Sequence, residues 1–153
     1  MCMRGIFILL NKWDIRYLDL AKHIATWSKD PSKQIGAVAV GNKGQILSQG
    51  YNGFPRGVDD SDHRYSHREV KYQFVVHAEM NCIYNATLNG ISLNDATLYI
   101  DGLPVCHECA KGIIQVGIKR VVTRYDEEVE KWKVSEITTK KLFDEAGVEY
   151  GRF

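Results

Sequence analysis

No apolar run in the 153-residue chain approaches the roughly 18 residues that a membrane-crossing helix needs. An excess of one charge is lacking too. Twenty Lys and Arg stand against 19 Asp and Glu, a formal net charge of +1. That balance argues against a protein that grips long nucleic acid by electrostatics alone. Proline is scarce, at three residues, and no repeat, low-complexity tract or Pro/Gly-rich linker divides the sequence. One domain over residues 1–153 is therefore expected. Cysteine is sparse as well: Cys2, Cys82, Cys106 and Cys109. A chain of this length can bury about two-thirds of its unfolded surface and does not need disulfides to fold. Its 44% hydrophobic and 25% charged residues are those of a folded domain, not a disordered one.

The apolar run from Gly5 to Leu10 follows Arg4 and faintly resembles a signal peptide. It is too short, and no small-residue cleavage site follows Asn11-Lys12-Trp13-Asp14, so it reads as a short first strand. With no address signal, the expected compartment is the cytoplasm.

From Asp14 to Lys29, Ile15, Leu18, Ala21, Ile24, Ala25 and Trp27 recur at helical spacing, and Asp30-Pro31 stops the pattern. Gln34–Val40 reads as a buried strand, Gly41–Gly44 as a tight turn, and Gln45–Gly50 as its hairpin partner. Tyr51–Tyr72 shows neither period, and an irregular stretch of that length is usually functional. Helices are expected over His77–Leu88, Cys106–Val116 and Ser135–Ala146, with strands at Ala96–Ile100, Ile118–Thr123 and after Gly147. The short strand–helix–strand spacing implies a parallel crossover. The expected fold is a three-layer α/β/α domain. Its mixed sheet is antiparallel at its start and parallel later, with helices on both faces.

Two motifs carry chemistry. His77-Ala78-Glu79 opens one expected helix and Cys106-His107-Glu108-Cys109 opens another. Converging helix N-termini bring one imidazole and two thiolates to a point, a ligand set that suits zinc and leaves a tetrahedral site one position short. The helix dipoles favour the thiolate forms. A water in the open position is acidified and becomes a nucleophile near neutral pH. Glu79, two residues from the ligand His77, can reach that water and carry its proton to a ring nitrogen and then to a departing amine. A C-x-x-C alone also fits a redox pair or half a structural zinc site, and a lone His-x-Glu means little. Together and in this order they match the known signature of zinc nucleobase deaminases. His107 is expected to face solvent and Cys82 to fill core.

The sequence resembles the deoxycytidylate (dCMP) deaminases through four ordered blocks: Ser28–Ala37 (SKDPSKQIGA), Gly50–Gly57 (GYNGFPRG), His77–Asn81 (HAEMN) and the Cys106–Ile114 helix. The resemblance implies a cytidine-deaminase-like fold and hydrolysis of dCMP to dUMP and ammonia, which supplies thymidylate synthesis. It assigns His77, Cys106 and Cys109 as ligands of one catalytic Zn2+ per chain and Glu79 as proton shuttle. Ser28 and Asn52 match pocket positions, with Asn52 bonding the sugar or base, the Ala78 backbone would meet the pyrimidine edge, and Tyr125 would close the pocket. It further implies activation by dCTP with Mg2+, inhibition by dTTP and a homo-oligomer, commonly a hexamer, in the cytoplasm (that of the host for a viral member). Gly53, Phe54 and Arg56 are its candidates for the regulatory nucleotide site. Read without the family, the glycines of the 50–57 finger suit a phosphate cradle, and equally a tight hairpin exit carrying an exposed Arg56.

Two features depart from the family pattern. Val105 stands between Pro104 and Cys106, where Pro usually precedes the first cysteine directly. The insert from Gly57 to Val76 carries His63 and His67, four apart, in a region where some relatives hold a second structural zinc; without further cysteines a solvated loop is expected. Arg64, Arg68 and Lys71-Tyr72 can attract phosphates, but they alternate with acids and read as mixed surface. Glu127–Lys133 reads as an exposed charged face with Trp132 as a packing anchor. Two rivals use the same residues: deamination of free cytidine or of cytosine in single-stranded nucleic acid, and a zinc-bearing nucleotide sensor without turnover.

Overall fold

Asn11 starts the first helix by a reciprocal cap. Its Oδ1 accepts from the Trp13 and Asp14 backbone N–H groups at 2.9 and 3.0 Å, and the Asp14 carboxylate accepts from the Asn11 N–H at 3.0 Å. The helix, α1, runs over Lys12–Ala25, in a computed structural model that describes residues 10–126 and 130–153. The strand expected over Gly5–Leu10 lies outside the described residues except for Leu10, which belongs to no element. The helix ends four residues before the expected Lys29. Ser28 and Asp30 instead bond to nearby backbone: Ser28 Oγ accepts from the Asp30 N–H at 3.2 Å, and Asp30 from the Ser32 N–H at 2.8 Å. Such local bonds compete with the helical ladder.

The remaining elements are β1 (Gly36–Val40), β2 (Ile46–Tyr51), α2 (Asp62–Ser66), α3 (Arg68–Phe74), α4 (Ala78–Leu88), β3 (Thr97–Asp101), α5 (His107–Gln115), β4 (Arg120–Arg124), α6 (Glu130–Ala146) and β5 (Glu149–Arg152). The five strands form one sheet in the order β2-β1-β3-β4-β5. β1 is antiparallel to both its neighbours, whereas β3, β4 and β5 run parallel. Alternation along the strands divides the core. Val38, Val40, Tyr99 and Val122 face Leu18, Ala21 and Ile24 of α1. Ala37, Ala39, Leu98, Ile100 and Val121 face the other way, onto Ile83, Ala86, Ile113 and Phe143 of α4, α5 and α6. The result is the expected three-layer α/β/α arrangement. Among the described residues, no helix is long and apolar enough to cross a membrane.

Two expectations need correction. The irregular stretch after Tyr51 contains α2 and α3, whose only buried residue is Tyr65, so they show no apolar period. Helix α6 begins at Glu130 rather than Ser135; in residues 130–134 only Trp132 and Val134 are apolar, too few to show a helical period.

The register explains where a site can form. Gly36 pairs with Tyr51 on one side and Asp101 on the other, so Ile35, Asn52 and Gly102 emerge together at one end of the sheet. Gly50 lets α4 lie against β2: a Cβ there would stand 2.3 Å from the Cys82 backbone nitrogen. That contact gives Gly50 a packing role rather than a place in a phosphate cradle.

Candidate active site

His77 caps α4 and Cys106 caps α5, the Cys106 Sγ accepting from the Cys109 N–H at 3.4 Å. Both sulfurs lie 3.4 Å from His77 Nδ1, and the three potential ligand atoms fall within 4.8 Å of one another. Zinc bonds of about 2.3 Å to sulfur and about 2.0–2.1 Å to nitrogen, opened to a tetrahedral angle, put S and N about 3.5 Å apart. The spacing therefore fits a zinc ion without rearrangement. No other group of three or more His, Cys, Asp or Glu ligands meets this test among the described residues.

Hydrogen bonds couple the protonation of the three ligand side chains. Hydrogen bonding from Cys109 and His77 pulls the Cys106 thiol down to about 4, against burial, while its bond to Cys106 lifts His77 to about 9. The hydrogen bond to Cys106 and burial push Cys109 up. Glu79, only 4% exposed, has Oε2 3.8 Å from Cys109 Sγ. Burial raises its carboxyl above the usual range, opposed by the nearby His77 charge. A carboxyl so placed can hold a proton or release one.

A cavity of about 610 Å³ opens beside these groups, with His77, Glu79 and Cys106 in its wall. That volume lies within the roughly 300–1,000 Å³ of small-ligand pockets. Asn52 lines it, and its amide is fully engaged: Oδ1 accepts from the Ile35 N–H at 2.9 Å, and Nδ2 donates to the Lys33 carbonyl at 2.9 Å and to Asp30 at 3.4 Å. Ser28 stands behind it, donating to the Asn52 carbonyl at 2.8 Å. Ala78 is fully buried at the start of α4.

Other expected residues lie elsewhere. Tyr125 is outside the wall of the large cavity; it borders a separate one of about 250 Å³ with Lys22, Lys33 and Arg124. Its hydroxyl donates to Glu136 at 2.9 Å and the Arg152 guanidinium covers its ring at 3.9 Å. In the finger, Gly53 forms a β-bridge with Val76, directly before His77. Phe54 stacks on Tyr65 at 4.3 Å, and Arg56 donates to Asn85 of α4. The His63 and His67 rings stand 4.4 Å apart with no third ligand nearby among the described residues. Cys82 is fully buried, as expected. His107 is half exposed, with its ring and backbone N–H both on Ser135 Oγ of α6, at 2.8 and 3.0 Å. Val105 is buried, its N–H donating to the Tyr150 hydroxyl at 3.3 Å and its carbonyl accepting from Thr139 at 2.9 Å.

Residues read from sequence as mixed surface belong to the cavity. Arg68, Lys71 and Tyr72 of α3, and Lys131 and Trp132 of α6, all line it. The sequence signals were the charge of Arg68 and Lys71, able to attract phosphates, and position: Lys71-Tyr72 runs directly into the segment that presents His77.

Comparison with known proteins follows the same lines. Residues 11–125 match the family model described as the cytidine and deoxycytidylate deaminase zinc-binding region. A probable deoxycytidylate deaminase of Drosophila melanogaster is 39% identical over 150 residues, covering 92% of this chain and 71% of the relative. The deoxycytidylate deaminase of Mus musculus is 38% identical over 149 residues, covering 93% of this chain and 80% of the relative. The crystal structure of a dCMP deaminase from the cyanophage S-TIM5 superposes with a TM-score of 0.73 at 24% identity, over 95% of this chain and all of that one, and so shares the fold.

Proposed function

The chain belongs to the cytidine and deoxycytidylate deaminase family, and from that premise we propose that it hydrolyses dCMP to dUMP and ammonia. One observation carries the reading most: a buried carboxyl, Glu79, standing 3.8 Å from Cys109 at the edge of a His77–Cys106–Cys109 cluster, inside a nucleotide-sized cavity. Zinc held by those three residues supplies Lewis-acid activation of the attacking water. The remaining work falls to the chain itself.

Glu79 accepts the proton that water loses as its oxygen bonds to C4 of the cytosine ring. The same carboxyl passes that proton to ring N3, then takes the proton of the new C4 hydroxyl and delivers it to the amino group, which leaves as ammonia while C4 becomes a carbonyl. Its low exposure keeps the proton from leaking to bulk solvent, and its raised affinity for protons suits the carrying step. Asn52, braced by Ser28, forms part of the cavity wall, and in this reading the Ala78 backbone meets the pyrimidine edge. Helix dipoles of α4 and α5 point their positive ends at the reacting ring.

The reading extends to regulation. The Gly53–Arg56 finger is the proposed seat of dCTP with Mg2+ and of dTTP. Its Gly53–Val76 bridge, with N–H···O distances of 3.1 and 2.8 Å, abuts His77 and gives an effector a short route to the metal ligand. A homo-oligomer acting in the cytoplasm completes the proposal, both carried by the family resemblance.

The test follows ammonia from dCMP, deoxycytidine and CMP with zinc-loaded protein and with Glu79→Gln. Preferential turnover of dCMP, abolished by the variant while zinc is retained, is the expected result. Turnover of deoxycytidine or an oligonucleotide with dCMP inert would overturn the substrate; loss of zinc in the variant would overturn the role of Glu79.

A further inference from the structure

Two of the three ligand residues take their places from regular structure. Cys109 lies inside α5, and His77 directly follows the Gly53–Val76 bridge. The backbone of Cys106 has neither aid. It precedes α5 in extended conformation, φ −76° and ψ 158°, on the stretch that carries the additional residue Val105. The peptides on either side of it are held instead by side chains from the C-terminal part of the chain. Val105 is 1% exposed, so water cannot serve its N–H and carbonyl. The N–H donates to the Tyr150 hydroxyl of β5 at 3.3 Å, and the carbonyl accepts from Thr139 Oγ1 of α6 at 2.9 Å. Thr139 is itself fully buried. The His107 N–H is among the first donors of α5, which have no acceptor inside the helix. It reaches Ser135 Oγ of α6 at 3.0 Å, and the His107 ring meets the same oxygen through Nδ1 at 2.8 Å. Ser135 and Thr139 are four residues apart and so share one face of α6. Tyr150 packs on Phe143 of that helix, the ring centroids 5.1 Å apart. None of the three hydroxyl residues lines the large cavity.

From this arrangement we infer that Ser135, Thr139 and Tyr150 are positioning residues for the metal. Their hydroxyls grip the peptides before and after Cys106 and so fix the direction of its thiolate. The inference rests on the zinc reading of the His77–Cys106–Cys109 cluster. A residue whose flanking peptides are both held keeps only its side-chain rotation free. The Cys109 N–H restrains that rotation too, with Cys106 Sγ 3.4 Å from His77 Nδ1. Ligands oriented in this way by outer partners bind their metal more tightly than ligands that must be ordered by it. The peptide that Val105 adds is the one that Tyr150 and Thr139 hold, so the grip also accommodates this chain's departure from the family pattern.

The experiment measures the zinc Kd by competition with a chromogenic chelator in wild type, Ser135→Ala, Thr139→Val, Tyr150→Phe and a control, Tyr99→Phe. The control removes a buried hydroxyl bond of the same kind, 2.6 Å to Asp14, on the opposite face of the sheet. Each protein is also loaded with Co2+, whose thiolate charge-transfer and d–d bands report ligand geometry. Ser135→Ala and Thr139→Val should each weaken zinc binding about 10- to 100-fold and alter the cobalt bands. Tyr150→Phe, which loses the longest of these bonds, should show a smaller loss of affinity. Ser135→Thr and Thr139→Ser keep the hydroxyl and should restore both readouts. Tyr99→Phe should lower the melting temperature of the metal-free protein and leave Kd and bands as in wild type. Variants that lose stability as Tyr99→Phe does, yet keep the wild-type zinc Kd and cobalt spectrum, overturn the inference. Should Thr139→Val not fold, Ser135→Ala, at a partly exposed position, decides it by the same readouts. Wild type that takes up neither metal overturns the zinc reading itself, and the inference with it.

Discussion

At the scale of single residues, the account turns on Glu79. Replacing it by Gln keeps shape and removes the exchangeable carboxyl proton. The expected outcome is a fall in kcat of at least about 10²–10⁴-fold with zinc content unchanged, checked by steady-state rates and metal analysis on one preparation. Cys109→Ser should instead lower zinc content, because a hydroxyl is a poor replacement for a thiolate ligand. The metal cluster and its shuttle were legible in the sequence because their spacing within each motif is local: two residues from His77 to Glu79, three from Cys106 to Cys109. The cavity's cations were legible as charges but not as cavity lining. Arg68, Lys71 and Lys131 alternate with acids along the chain, and only folding reveals that Lys71 takes up Asp30 while Arg68 and Lys131 converge from separate helices. The family resemblance alone points Tyr125 at the pocket; the structure turns its hydroxyl to Glu136 instead.

At the scale of elements, one buried carboxylate ties the first helix to β3 and β4. Asp14 closes the α1 cap, accepts from Tyr99 of β3 at 2.6 Å and receives Arg120 of β4 at 2.8 and 3.1 Å. Burial alone would raise its carboxyl, but the bonds from Arg120 and Tyr99 hold it below its ordinary 3.8. A lowered folded value means the stabilisation is fully present above 3.8 and is lost as pH falls through the lower folded value. Asp14→Asn should cost about 3 kcal/mol near neutral pH, the cost of leaving Arg120 without its buried partner. In urea unfolding, the gap between wild type and variant should narrow as pH drops below 4. A gap that widens in acid would contradict the role. Gly50→Ala belongs here too: a methyl 2.3 Å from the Cys82 nitrogen should push α4 from β2 and destabilise the fold by about 1–3 kcal/mol, read as a lowered Tm. Elements with a buried stripe, such as α1, were readable from periodicity. Helices α2 and α3 bury one side chain between them, Tyr65, and so had no pattern to read. The insertion of Val105 was visible, but not how it is absorbed: the extra peptide is satisfied by Tyr150 and Thr139, from β5 and α6, which lie more than thirty residues on.

At the scale of the whole molecule, the sheet serves to bring two helix N-termini together. β1 and β3 present Ile35 and Gly102 at one end, and α4 and α5 start there with His77 and Cys106 at their caps. A metal held between two helices also holds the helices together. Zinc at about 100 times its Kd should add about 2.7 kcal/mol to stability, which for a domain of this size raises Tm by about 5–10 °C. Chelation should reverse the shift, and a melting curve indifferent to zinc would remove the metal from the account.

The reaction itself admits the most direct test. Zinc-loaded protein is given dCMP in oxygen-labelled water, and the product is weighed by mass spectrometry. Hydrolytic deamination predicts dUMP carrying one labelled oxygen at C4 and one ammonia released per dUMP formed. Unlabelled dUMP, or dCMP recovered intact while deoxycytidine is converted, would contradict it.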